Sequence, residues 1–349
     1  MLKLLHTSDL HIGMKYNGYP EYIKDELVGA RFNALKTLVA RANEEQCRLL
    51  VIAGDLFEKT TVPQNDVERV IKILDAFAGD CILVLPGNHD FDNGLVDLWN
   101  IFKNNASEKI LLLNENRVYH LQASHDLDLA VYPAPCNKKH GEENNLKWIG
   151  KLAGRPQAAW HLGVAHGALE GLSPDLNGKY FYMTMQELEA LPIDLWLLGH
   201  THLPFPKQAS VSGNRIFNAG TPEPDGMDCP HKGHAWIIEI DEEKNVQAQR
   251  IDTGTFQFID TEFTLDNEDS FREMKKRFLT KGCEKNLLCL KIKGRIDRQL
   301  FIKKEEFFQE LSEKLAYFKF DDSDLGFKIT DDVIDKGFTR GSFPYQLLS

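Results

Sequence analysis

A chain of 349 residues, 42% hydrophobic and 27% charged, has the composition of a soluble globular protein and the length for two domains. No apolar run approaches the roughly 18 residues that a membrane span needs, and MLKLLHTSD is too short in apolar residues for a signal peptide, so a cytoplasmic protein with no membrane contact is expected. Net charge is −11, which argues against a nucleic-acid partner until its distribution is read. Residues 256–349 carry 17 Lys+Arg against 18 Asp+Glu, and residues 1–255 carry 24 against 34. Acids gathered around bound cations do not repel a phosphate, so net charge leaves the question open. The six cysteines show no C-x-x-C spacing, which excludes a zinc ribbon and gives no sign of a disulfide framework.

In chain order, KLLHTSD reads as a strand and turn, VGARFNALKTLVARANEEQ has helical spacing, and RLLVIAGD is again a strand. NDVERVIKILDAFAG predicts an amphipathic helix from near Asn65 to Gly79, followed by the strand CILVLPGN. In NGLVDLWNIFKNN, Leu95, Leu98, Trp99 and Phe102 lie at helical spacing, as a dimer face or as ordinary core. HLGVAHG, LWLLGHTH, RIFNAGT and HAWIIEID continue the strands, and Trp196 and Phe217 inside them read as core. Runs that are apolar throughout fit sheets covered on both faces, and hence a layered α/β domain. Beyond about Ile259 the texture changes: TEFTLDNEDSFREMKKRFL predicts strand then helix, NLLCLKIKGRI a strand, and IKKEEFFQELSEKLA a helix. The expected division is a domain over 1–255 and a small α/β module over 256–349. The basic run KIKGRIDRQLFIKK is either a track for a phosphate backbone or a solvated strand–helix junction.

The chemistry-bearing residues stand where apolar strands stop, which is where α/β sheets bind ligands. They are Asp9 and His11, Asp55, Asn88 with His89 and Asp90, His166, and His200 with His202. Asp, Asn and His without Cys suit Mn²⁺, Mg²⁺, Fe²⁺ or Zn²⁺. Asp-x-His and His-x-His place both ligands on one side of an extended segment. Each motif alone is an ordinary turn or a structural histidine; their ordered recurrence points to one pocket able to hold two cations.

D-x-H, G-D, G-N-H-D, a later H and G-H-x-H together resemble the calcineurin-like metallophosphoesterases. HTSDLHIG, VIAGDLFE, LPGNHD, GVAHG, LLGHTHLP and NAGTPEP resemble, within them, the SbcD/Mre-eleven nucleases of double-strand-break repair. The resemblance implies a β-sandwich flanked by helices in four α/β/β/α layers, with the small module as a capping, DNA-binding domain. It implies Asp9, His11 and His202 on one metal and Asn88, His166 and His200 on the other, bridged by Asp55; Mn²⁺ is the expected ion. His89 would protonate the leaving oxygen or steady the phosphate, with Asp90 orienting its imidazole. Water activated by the metals would attack a DNA phosphodiester in line. Glu58 stands where archaeal and eukaryotic members usually carry histidine and bacterial SbcD-like members often carry an acid. It leans the chain to the bacterial branch and is either a partner of a ligand histidine or water, or a surface acid. Thr221 and Glu223 either line the rim or belong to a structural loop around Pro222 and Pro224, while His231 and His234 read as surface or structural.

The family's partners are DNA, an SbcC/Rad-fifty-type ATPase and a second copy of the chain, the last through the helices near NDVERVIKILDAF and NGLVDLWNIFKNN. Members often continue past the cap into helices that grip the ATPase. GSFPYQLLS closes this sequence with no long amphipathic segment after Asp335, so the ATPase partnership rests on the resemblance alone. Three function classes follow: a Mn²⁺-dependent DNA exo/endonuclease, a phosphatase or phosphodiesterase for a small nucleotide or phosphoprotein, and a DNA-end-binding or ATPase-recruiting subunit with little turnover.

Overall fold

LLVIA at Leu49–Ala53 (β2) and CILVL at Cys81–Leu85 (β3) are buried at every position, so both faces of these strands must be covered. A computed structural model, which describes residues 1–173, 178–328, 339–343 and 346, shows how. The larger of two units comprises Met1–Asp225 and His231–Phe256. In it β1 (Leu2–Thr7), β2, β3 and β4 (Ile110–Leu112) pair in parallel. β5 (Tyr119–His120), β6 (Leu129–Ala134), β7 (Trp160–His166), β8 (Leu195–Gly199) and β10 (Ile216–Asn218) form a second sheet in the order β10-β8-β7-β6-β5. β9 (Ser210–Ser212), β11 (His234–Ile240) and β12 (Val246–Asp252) complete the first as β4-β3-β2-β1-β11-β12-β9.

Side-chain alternation assigns each face a core. Leu5, Leu50, Ile52, Ile82 and Val84 pack with helices α1 (Glu21–Glu44), α2 (Gln64–Leu74) and α3 (Asp97–Asn105). Leu4, Val51, Leu83 and Leu85, pointing the other way, pack against Leu162, Val164, Leu195 and Leu197 of the second sheet. The far face of that sheet, with Tyr132, Trp196 and Leu198, is covered by Met183 and Leu188; the short helices α4 (Gln122–His125) and α5 (Met185–Ala190) lie in the same unit. In α1 the buried series Ile23, Leu27, Ala30, Ala34, Leu38 and Ala42 is the 3.6-residue stripe the sequence shows, though the helix starts at Glu21, ahead of VGARF. Leu98, Trp99 and Phe102 are core, and Leu95 alone of that spacing is exposed, so three of the four residues are not available as a dimer face.

The second unit comprises Gly226–Pro230 and Gln257–Ser349. β13 (Gln257–Thr264), β14 (Asn286–Ile296) and β15 (Tyr317–Phe327) are parallel, with α6 (Glu268–Phe278) and α7 (Arg298–Lys314) as crossovers over a core of Phe271, Met274, Ile292, Phe307 and Leu311. Asn267 caps α6 and Asp297 caps α7, each side chain accepting first-turn N–H groups. The basic run is largely paired rather than free: Lys291 meets Asp324 at 2.8 Å, Lys293 meets Glu262, and Lys304 is fully buried against Asp322 and Glu305. That favours the solvated-junction reading of the lysines over a phosphate track. The stretch after Asp335, on which the ATPase argument bore, lies largely outside the described residues.

Candidate metal centre

The strand ends are laced together before any side chain is considered. Backbone N–H groups of Asp9, His11 and Ile12 donate to the carbonyls of Gly54, Asp55 and Leu56, all at 3.0 Å, so the turn after β1 runs beside the turn after β2. Asp9, His11, Asp55 and His200 all have positive φ, at 54°, 47°, 51° and 96°. L-residues adopt this region at a cost of about 1–3 kcal/mol each and hold it only where surrounding contacts over-determine it. Two glycines permit the close approach. A Cβ on Gly54, whose φ is 93°, would lie 2.1 Å from His166 Nδ1, and one on Gly87 would lie 2.2 Å from Asp55 Oδ1.

The seven expected ligands converge in two sets. In the first, His11 Nε2 and His202 Nε2 face each other at 3.2 Å, and Asp9 Oδ1 lies 3.9 and 3.7 Å from them. In the second, Asn88 Oδ1 lies 2.9 Å from both His166 Nε2 and His200 Nδ1. Asp55 Oδ2 stands between the sets, 3.8 Å from His11 Nε2 and 3.3 Å from His166 Nε2. Asp9, His11, Asp55, Asn88 and His166 are at most 2% exposed. Two carboxylates, one amide oxygen and four imidazoles aimed at shared points, with no thiolate, fit two hard or borderline divalent cations. Bound there, such cations supply Lewis acidity toward phosphoryl oxygens and acidify water.

Protons stand in for that charge in the metal-free protein. Burial works against charge on His166, yet the Asp55 carboxylate prevails and lifts its pKa to about 9. His202 likewise reaches about 9 against burial, through Asp225. Burial, and then the charge on His166, push His200 down to about 4. Asp55, although buried, is held well below the carboxylate range by His166.

Other candidates take different places. His89 donates its backbone N–H to Asp55 Oδ1 at 2.8 Å, and its ring Nδ1 lies 3.0 Å from the Glu58 carbonyl, which leaves Nε2 for proton exchange. The ring is about one-third exposed. Asp90 was expected to orient that imidazole; instead its oxygens accept the backbone N–H groups of Phe57 (2.9 Å) and Gly87 (2.7 Å). It ties the turn after β2 to the turn after β3, and burial pushes its pKa up to about 8. Glu58 Oε2 lies 3.0 Å from His11 Nδ1, without hydrogen-bond alignment, and is 25% exposed. It is a neighbour of a ligand histidine rather than a surface acid. Thr221 and Glu223 are buried and line no rim: Thr221 Oγ1 lies 2.9 Å from the Asp9 carbonyl and 2.7 Å from the Glu223 carbonyl, with one proton to give to either, and Glu223 accepts the N–H groups of Thr255 and Phe256.

Asp225 and Arg31 went unread in the sequence. Asp225 Oδ2 lies 2.8 Å from His202 Nδ1 and 3.8 Å from Arg31, which is buried and donates to Tyr16 Oη, the Leu10 carbonyl and Thr221 Oγ1. Asp225 follows NAGTPEP directly, and an arginine on the apolar stripe of α1 was the other available signal. His231, read as structural, places Nε2 2.6 Å from the His202 carbonyl and so holds the ligand's backbone.

A model of the calcineurin-like phosphoesterase family matches residues 2–204, more than half of the 349-residue chain, and the chain belongs to that family. It is 33% identical over 92 residues to the DNA double-strand break repair protein Mre11 of Aeropyrum pernix, covering 26% of this chain and 21% of that one. It is 24% identical over 213 residues to the uncharacterized metallophosphoesterase YhaO of Bacillus subtilis, covering 58% and 48%. With the DNA double-strand break repair protein Mre11 of Saccharolobus solfataricus it shares 25% over 229 residues, covering 64% and 55%. The chain thus spans between about a fifth and just over half the length of these relatives. No helix among the described residues is long and apolar enough to cross a membrane.

Proposed function

We propose that this calcineurin-like phosphoesterase hydrolyses DNA phosphodiesters at a dinuclear metal centre, as an exonuclease or endonuclease of repair or recombination. The observation that carries the reading is Asp55 Oδ2 lying between the two ligand sets, 3.8 Å from His11 and 3.3 Å from His166. A carboxylate shared in this way holds two cations close enough to act on one phosphate. The resemblance to proteins named for double-strand break repair supports DNA as the substrate.

The chain's own residues then divide the work. Asp9, His11 and His202 would hold one cation, Asn88, His166 and His200 the other, and Asp55 would be shared by both. Asp225 fixes the His202 ring through Nδ1, so that Nε2 faces the site. His89, anchored through Nδ1 and about one-third exposed, passes a proton from Nε2 to the departing oxygen. Mn²⁺ as the ion, the SbcD-like bacterial branch, four layers with a capping small unit, a cytoplasmic setting, a homodimer and an SbcC/Rad-fifty-type ATPase belong to the same proposal and rest on the resemblance.

The test offers Mn²⁺-loaded protein labelled single- and double-stranded DNA beside p-nitrophenyl phosphate and bis-p-nitrophenyl phosphate, with His89→Ala as control. Cleavage of both DNA and the diester is expected in wild type; His89→Ala should lose DNA cleavage and keep more of the diester hydrolysis, because p-nitrophenolate leaves without a proton. Monoester hydrolysis without DNA degradation would sink the nuclease reading, and DNA binding without metal-dependent cleavage would leave a binding subunit.

A further inference from the structure

Helices α1 and α2 leave a groove between them on the larger unit, at residues that the hydrolysis described above does not use. It is a cavity of about 530 Å³ whose apolar lining includes Ala40 of α1, Ile73 of α2 and, just past the end of α2, Ala76. Both alanines are exposed and Ile73 is half-buried, so apolar surface stays open to solvent there. Lys36 on the α1 side, and Arg69 and Lys72 on the α2 side, add three exposed cations to the same lining. Among the described residues none of the three is ion-paired with a carboxylate. The chain carries a net charge of −11, with 24 basic against 34 acidic residues in 1–255, so cations gathered without acids are not its average surface.

The groove runs along the helices and is held at both ends. On each helix the lining follows the i, i+3, i+4, i+7 spacing of one face: positions 36, 39, 40 and 43 on α1, and 69, 72, 73 and 76 along α2. Seven residues of helix make about 10 Å, or two turns. At one end Asn43 Nδ2 donates to the Ala76 carbonyl at 2.9 Å, and its Oδ1 accepts the Ala78 N–H at 2.8 Å. Toward the other end the Arg69 guanidinium lies over the Phe32 ring, 3.7 Å from its centroid. These contacts fix the spacing of the two helices before anything binds, which lowers the ordering cost of an occupant.

An apolar channel two helical turns long, with cations on both sides, is the complement of an amphipathic helix flanked by acids. We propose that this groove docks such a helix from a partner protein, with apolar side chains at every third or fourth position over Ala40, Ile73 and Ala76, and Asp or Glu toward Lys36, Arg69 and Lys72. A second copy of the chain would bring the same three cations to the contact, so like charges oppose a two-fold pairing through the groove. Nucleic acid fits less well, because the lining offers no aromatic ring on which a base could stack and an apolar floor gives a phosphate backbone nothing. Neither the metal centre nor the phosphodiesterase reading enters into the proposal.

The experiment titrates the full chain into three fluorescein-labelled probes and reads anisotropy. The first is a peptide of about 15 residues with leucine at every third or fourth position and glutamate on both flanks, the second is the same peptide with lysine for each glutamate, and the third is a short DNA duplex. Wild type should bind the acidic peptide and not the lysine peptide. Lys36→Glu/Lys72→Glu, which changes only exposed residues, should weaken the acidic peptide by about 10-fold or more and gain the lysine peptide. That exchange of preference also shows the variant to be folded. Ala40→Gln, which fills the channel without changing its charge, should weaken the acidic peptide as well. Failure of wild type to bind the acidic peptide overturns the proposal, and so does equal binding by wild type and the charge-reversed variant. Binding that is lost on charge reversal but untouched in Ala40→Gln overturns it too, because the attraction would then be diffuse charge. Duplex bound through the same two lysines, more tightly than the acidic peptide, would make the groove a nucleic-acid contact and overturn the helix.

Discussion

Replacing Asp225 by asparagine tests whether a residue outside the ligand set governs the metal centre. The carboxylate lies 2.8 Å from His202 Nδ1 and is 12% exposed, so its charge is poorly screened. In the metal-free protein it helps raise the His202 pKa from 6.5 to about 9, worth roughly 3 kcal/mol for the protonated ring. A cation must displace that proton below pH 9, after which the same carboxylate orients the neutral ring and strengthens its Nε2 as a donor. Asp225→Asn removes both effects, and they act in opposite directions. At pH 9, where proton competition has faded, the loss of orientation dominates, and affinity at that site falls about 10–100-fold. At pH 6.5 the deficit narrows, because the variant has less proton to displace. Calorimetric Mn²⁺ titrations in two buffers of different ionisation enthalpy read both quantities, and protons released on binding at pH 7 should fall by about one per chain. An affinity ratio that is the same at both pH values, with unchanged proton release, would refute the reasoning.

Three other outcomes follow from the same geometry. Gly54→Ala combines a φ of 93° with a Cβ 2.1 Å from His166 Nδ1, so it displaces that ligand; metal analysis should show the ion on the His166 side lost and diester hydrolysis down by about 100-fold or more. Glu58→Gln should weaken metal binding by less than about 10-fold, because its carboxylate is misaligned with His11 and partly exposed, and unchanged cleavage would make it dispensable. The raised pKa values of His166 and His202 contribute stability to the metal-free protein that is fully present below about pH 6.5 and lost as pH rises through about 9, roughly 2–3 kcal/mol for each pair. Thermal melts without metal should therefore fall across that window, and the metal-loaded form, whose histidines are already deprotonated, should hold its midpoint; equal slopes would contradict the assignment.

Much of the site was legible because strand ends announce themselves. Apolar runs such as LLVIA and LWLLG end in residues whose side chains have no reason to follow a core strand unless they do something there. The strands that went unread include the two- and three-residue β4, β5 and β9 and three longer ones: β6 closes on Pro133 and Ala134, β12 alternates Val-Gln-Ala-Gln on a half-exposed face, and β15 carries Asp321, Asp322 and Asp324. Residue type alone misled at Asp90, since an acid beside a histidine in sequence can turn away to cap two backbone N–H groups. Arg31 meets Thr221 and Asp225 nearly two hundred positions away in sequence, and Asp225 turns back onto His202, relations that only the fold creates.

Metal content per chain tests the dinuclear centre most directly. Equilibrium dialysis against Mn²⁺, with elemental analysis of wild type and Asp55→Ala, should give about two ions per wild-type chain and at most one in the variant, with diester hydrolysis lost alongside. One ion or none in wild type, or two held with undiminished affinity after Asp55 is removed, would contradict the shared-carboxylate centre on which the account stands.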